Sequence, residues 1–224
     1  VYRIRVLPAA VSLTAAAALL LTGCGGDDKG KDEDKIEGAG GETKSSAPAS
    51  PSASKGPEIK RPDVSLPSDV TLTFAEKNLS DPKQAAALHD AQEFVRAIRH
   101  GITKQDPEDA AYKFYSEFQS AASKYAKEQI KKRVDAGYTS TGKAAYYSQK
   151  VSLPKGQDVA VVSFCNDSSE MFSKEVKTEK VHRTEKSLAS FDFWQVAMAP
   201  AKSKEGLWRA KDVLVKGNAK ECQR

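Results

Sequence analysis

Apolar positions in the C-terminal part of this chain recur first every three or four residues and then every two. A helical region therefore precedes a strand region. Leu88, Ala91, Val95, Ile98 and Ile102 make one stripe of a helix, and Asp81-Pro82 supplies a cap followed by proline at its first position. His89 and His100 lie about 130–150° from that stripe, at 100° per residue, which predicts solvated histidines on a common outer face. Their separation along the axis, about 16 Å of rise, prevents them from sharing a metal ion.

Asp106-Pro107 repeats the cap-and-proline signal ahead of a second stripe, Ala111, Phe114, Phe118, Ala121 and Tyr125. Ala126, Ile130 and Val134 then drift around the axis, which predicts a bend or a break near residues 120–128. Lys127, Lys131, Lys132 and Arg133 read as a solvated face, and Gly137 as the helix terminator.

After Tyr138 the period is two. Strands are predicted over residues 143–153, 159–165, 172–184, 191–198 and 207–215, with turns at Pro154-Lys155-Gly156 and at residues 202–206. The third is polar throughout and reads as exposed. Val159, Val161 and Cys165 occupy one face of their strand, and Ala160, Val162 and Phe164 the other. Phe191 and Phe193 oppose Trp194, Val196 and Met198 in the same way. A sheet with one wet face alternates cleanly, so two apolar faces predict a covered outer face. Either the N-terminal segment or a second copy, making a homodimer, is expected to supply the cover. Helices followed by antiparallel strands predict an α+β domain, with helices packed on a curved, mainly antiparallel sheet of about five strands.

The first residues follow another rule. Arg3 and Arg5 precede an uncharged, mostly apolar run over residues 6–21, which ends in Leu21-Thr22-Gly23-Cys24. A basic start, a short apolar run and small residues describe a secretory signal. The run is short for a membrane span, which needs about 20 apolar residues, and it contains Pro8. Val1 stands where an initiator methionine is expected, as either an alternative start codon read literally or a missing initiator gives. Residues 25–67 are rich in Gly, Ser, Pro and charge, with almost no large apolar side chain to offset the entropy of ordering. The predicted organisation is a signal over 1–23, Cys24 with a disordered linker over 24–67, and one globular domain over 68–224.

The formal net charge is +5, and the basic residues of the domain are scattered rather than banded with aromatics. That distribution predicts a solvated surface and argues against nucleic acid as a partner.

Leu21-Thr22-Gly23-Cys24, in its position after the apolar run, resembles the lipobox of bacterial lipoproteins. The resemblance implies cleavage before Cys24, a diacylglyceryl group on its sulfur, and a protein held at the extracytoplasmic face of the cell membrane. Two acyl chains anchor stably where one is marginal. Lipidation of Cys24 leaves Cys165 and Cys222 as an even pair in an oxidising compartment, and a disulfide between them is expected. The order and spacing of elements over residues 80–216 resemble the nuclear-transport-factor-2-like, or cystatin-like, cone, in which N-terminal helices lie in the concave face of a curved sheet. Small lipoproteins of high-GC Gram-positive bacteria often combine a lipobox, a linker and such a domain.

Cone folds often enclose a pocket, and Tyr112, Tyr115, Tyr146, Tyr147, Trp194 and Trp208 are the aromatics expected to line it or to fill the core. Some relatives of this fold are enzymes with a carboxylate base or a His–Asp pair inside the cone. Here the candidates are His182, Asp192 and Asp212, and each reads first as solvent-facing or paired. No nucleophile-and-base order, phosphate loop, metal-ligand cluster or cofactor motif is visible. Two readings follow. The first is a non-catalytic envelope module that binds a protein, a wall component or a small amphiphile. The second is a small cone-fold enzyme that transfers a proton on an organic substrate.

Overall fold

The computed structural model describes residues 59–224. The signal, Cys24 and the linker up to residue 58 lie outside the described residues. The elements are β1 (Val70–Phe74), α1 (Pro82–Lys104), α2 (Ala110–Tyr115), α3 (Ala121–Asp135), β2 (Tyr138–Ser152), β3 (Ala160–Glu175), β4 (Val181–His182), β5 (Phe191–Pro200) and β6 (Trp208–Gly217). The sheet has six strands in the order β1-β2-β3-β5-β6, with β4 paired to the far end of β3. Only β1 runs parallel to its neighbour. The α+β expectation holds. The additional strand, β1, reads Val-Thr-Leu-Thr-Phe and buries Val70 and Leu72 by simple alternation.

Helix α1 starts as predicted: the Asp81 carboxylate accepts from the Lys83 and Gln84 amides, and Pro82 stands at the first position. Its stripe is wider than the pattern indicates. Ala87, Phe94 and Ala97 are buried beside Leu88, Ala91, Val95, Ile98 and Ile102, because the helix touches both the sheet and the other two helices. His100 is a correction. It is buried, with Nδ1 2.8 Å from the Asp109 carboxylate, since α2 folds back over that flank of α1. Only His89 is exposed, and it too touches an aspartate, Asp90.

The cap of α2 is Asp109, which accepts from the Ala111 amide, and not Asp106. Asp106 instead receives the Glu108 amide within the turn. The second stripe breaks at residues 116–120, earlier than its drift implies. Ser116 forms a bridge to Ala210 of β6, Gln119 takes a left-handed conformation, and Ser120 caps α3. Phe118 is consequently 88% exposed instead of lying on the stripe.

The segment read as one exposed strand over 172–184 is the end of β3, a turn and the two-residue β4. Gly142 lets β2 approach β3 where the register shifts. It has φ +103°, and a Cβ there would stand 2.0 Å from the Glu170 carbonyl oxygen. Gly142→Ala is expected to lose about 1–3 kcal/mol of stability in urea unfolding.

One face of the sheet carries Val162, Phe164, Val196, Met198 and Ala210 into the core under the helices. Among the described residues the opposite face is partly covered. The C-terminal turn Lys220–Cys222 folds over it, and Cys222 is bonded to Cys165 with Cα atoms 5.3 Å apart. Ala219 and Cys222 bury Phe191 and pack on Phe193 and Tyr147. The disulfide fixes this arrangement by tying the tail to the middle of β3. Residues 59–67, assigned to the linker by composition, instead lie against the domain: Val64 and Leu66 pack on the core, and Arg61 reaches Asp90.

Candidate functional site

Between α1, α3 and the far ends of β2, β3 and β5 lies a cavity of about 220 Å³. Each element contributes through its own period. Arg99 follows Ile98 on α1, so it sits beside the buried stripe and leans over the gap. Gln129 and Arg133 are four apart and share a face of α3. Asp192 and Trp194 are two apart and share the helix-facing side of β5, next to Asn166 of β3. Val95, Ile98, Ile102 and Met171 give the cavity apolar walls.

The polar groups are arranged unequally. The Arg99 guanidinium donates to Ser140 Oγ at 2.6 Å, and that of Arg133 donates to Ser173 Oγ at 2.7 Å. Among the described residues neither arginine forms an ion pair; the arginines that do are Arg61, Arg96 and Arg224. Arg133 stands at the rim, open to solvent along much of its length. Partial loss of water and the like charge of Arg99 lower its pKa. Among the described residues Asp192 has no hydrogen-bonding partner to hold its charge, and burial raises its pKa. Tyr146, fully enclosed, is pushed up by burial, while Arg99 pulls it back. Tyr125 packs edge-on against Trp194 and is pushed up to about 12, by burial first and Asp192 second. The Trp194 ring is buried between Tyr125 and Phe164, and its enclosed Nε1–H has no acceptor among the described residues.

The raised Asp192 pKa has a consequence for stability. The folded state holds the proton to higher pH than the unfolded chain, so ionisation costs stability. That cost is absent below the unfolded value, about 4, and grows as pH rises through the folded value. Asp192→Asn is therefore expected to melt higher than the parent near neutral pH, with the advantage lost in acid.

Of the aromatics predicted to line a pocket, Trp194 does. Tyr112 and Tyr115 are 1% exposed and fill the helix–sheet core. Tyr147 faces the other side of the sheet, where its hydroxyl donates to the Cys222 carbonyl. Trp208 is buried beside a separate groove near the start of α1. Tyr146 enters the cavity because strand neighbours point to opposite faces. His182 pairs with Glu175 at 2.7 Å outside the cavity, and Asp212 is exposed and accepts from the Val213 amide. Asp192, read first as solvent-facing or paired, instead faces the cavity. Arg133 stays exposed with Lys131 and Lys132, as expected of a solvated face, and in addition borders the cavity. Among the described residues no group of three or more His, Cys, Asp or Glu is placed to hold a metal ion.

No protein family and no curated protein matches this chain. Among solved structures, a point variant of Rv3472, a protein of unknown function from Mycobacterium tuberculosis, is similar at 14% identity. The match covers 60% of this chain and 73% of that one, with a TM-score of 0.35.

Proposed function

We propose that this chain is a membrane-anchored, extracytoplasmic lipoprotein whose domain is a nuclear-transport-factor-2-like cone, and that the domain is a non-catalytic module binding a small amphiphile in the cavity. The anchor reading rests on Leu21-Thr22-Gly23-Cys24 after its apolar run. The Cys165–Cys222 bond suits an oxidising compartment. One observation carries the binding reading. Two arginines without carboxylate partners, Arg99 and Arg133, and a carboxylate without a hydrogen-bonding partner among the described residues, Asp192, border one open space. A bound molecule supplies the partners that these charged groups lack. Apolar walls with a few polar handles are the usual form of a small-molecule site.

Asp192 favours the enzyme as a second reading, because a carboxyl with a raised pKa beside Tyr146 is suited to moving a proton. It lacks a second acid or base in hydrogen-bond contact among the described residues, and this ranks it behind binding. A fragment screen by thermal unfolding of the full chain separates the readings. Binders are expected to raise the melting temperature of the parent and to lose that effect in Ser173→Trp, which plugs the mouth. Turnover of any binder, abolished in Asp192→Asn with binding retained, moves the conclusion to the enzyme. For the anchor, Cys24→Ala is expected to abolish labelling by a fatty-acid probe; undiminished labelling contradicts it.

A further inference from the structure

We infer that the cavity takes a small organic anion, held at its charged group by Arg99 and Arg133 and carrying a hydroxyl at its other end for Asp192. This rests on the cavity being a ligand site, as proposed above.

The charge pattern sets the first half. Two guanidinium groups over one opening repel each other, and no carboxylate pairs with either among the described residues. Each spends one hydrogen on a serine, Ser140 or Ser173, which fixes its direction and leaves other N–H groups of the fork free. Arginine held in this way suits planar, bidentate capture of a carboxylate. With Asp192 ionised the cavity carries one net positive charge, which a single anionic group balances.

Hydrogen-bond directions set the second half. An ionised carboxylate only accepts. Asp192 and Trp194 are same-face neighbours on β5 and both line the cavity, where the indole is a wall with its N–H enclosed and Asp192 is an acceptor. A hydroxyl donates to Asp192, whereas a second carboxylate would meet it as a like charge. The volume, about 220 Å³, is below the 300–1,000 Å³ usual for drug-sized ligands. The ligand is accordingly small, with an apolar middle to match Ile98, Ile102 and Met171.

Calorimetry on the full chain at neutral pH, with ω-hydroxyhexanoate, hexanoate and hexanediol as probes, tests this. ω-Hydroxyhexanoate is expected to bind tightest, with hexanediol weaker by about tenfold or more, the scale of one charge-assisted contact. Arg133→Gln is expected to weaken both acids about tenfold and leave hexanediol unchanged. Asp192→Asn is expected to remove most of the advantage of ω-hydroxyhexanoate over hexanoate. Equal binding of hexanediol and ω-hydroxyhexanoate overturns the anion, and this comparison needs no variant. Equal binding of hexanoate and ω-hydroxyhexanoate overturns the hydroxyl. If none of the three binds while uncharged fragments bind and are blocked by Ser173→Trp, the ligand class fails and the ligand site stands. If nothing binds, both fail.

Discussion

Asp90→Ala is expected to destabilise the domain by about 3–5 kcal/mol, a large share of the roughly 5–15 kcal/mol that holds such a domain together. Asp90 lies on α1 and is fully buried. One carboxylate oxygen accepts from the Trp208 amide at 2.8 Å, at the first residue of β6. The other meets the Arg61 guanidinium and lies 3.1 Å from His89 Nδ1. Removing the carboxylate leaves a buried backbone N–H without an acceptor and a half-buried guanidinium without a counter-charge. It also releases residues 59–67, which Arg61 fastens across the helix. Asp90→Asn keeps an acceptor for Trp208 and loses the charge, so it is expected to fall between alanine and the parent. Arg61→Met leaves the fully buried Asp90 charge without its guanidinium and is expected to cost at least as much as Asp90→Asn. Urea unfolding of the four proteins checks the order. A loss below about 1 kcal/mol for Asp90→Ala would mean that the carboxylate is not holding α1, β6 and Arg61 together.

Replacing Cys165 and Cys222 together by alanine is expected to cost about 4 kcal/mol, the chain-entropy value for a loop of this span, with a sequence separation of 57. Further loss follows from packing. Cys222 is 1% exposed and Phe191 is buried by the same tail, so release of Lys220–Cys222 uncovers the outer face around Phe191, Phe193 and Tyr147. The double variant is therefore expected both to unfold at lower denaturant and to bind a hydrophobic dye in its folded form. Reduction of the parent is expected to reproduce both effects. If the reduced and oxidised chains unfold at the same urea concentration, the bond contributes nothing to stability.

The same features explain what the sequence reveals. The α+β class was legible because α1 and the strands each keep a long, regular period, and the cap at Asp81 and the terminator at Gly137 are local chemistry that needs no partner. The disulfide was legible once the lipobox resemblance set Cys24 aside and left Cys165 and Cys222 as an even pair. Misreadings fall where distant contacts decide. His100 lies off the apolar stripe, yet α2 covers it. Phe118 lies on a stripe, yet the chain leaves helix to bridge Ala210. Residues 59–67 look like linker, because their few apolar side chains and Arg61 gain meaning only once Asp90 is buried nearby.

The cavity was the least legible part. Trp194 and Tyr146 were named together with four aromatics that lie elsewhere, because Tyr146 and Tyr147 differ only in strand parity, and a bulged strand hides which of two adjacent aromatics turns inward. Arg99 and Arg133 carry no motif. Arg133 sits among lysines of the same charge, and its only mark is the four-residue spacing to Gln129. What unites these residues is a shared space between α1, α3 and the sheet, and that exists only in three dimensions.

The claim that this space is a ligand site is tested most directly at Trp194, whose indole lines it. Its nitrogen-15 resonance in the full chain should move on titration with ω-hydroxyhexanoate while that of Trp208, beside a separate groove, stays in place. The movement should disappear in Ser173→Trp. A Trp194 signal that no small molecule moves, or that moves equally with the mouth plugged, contradicts the account.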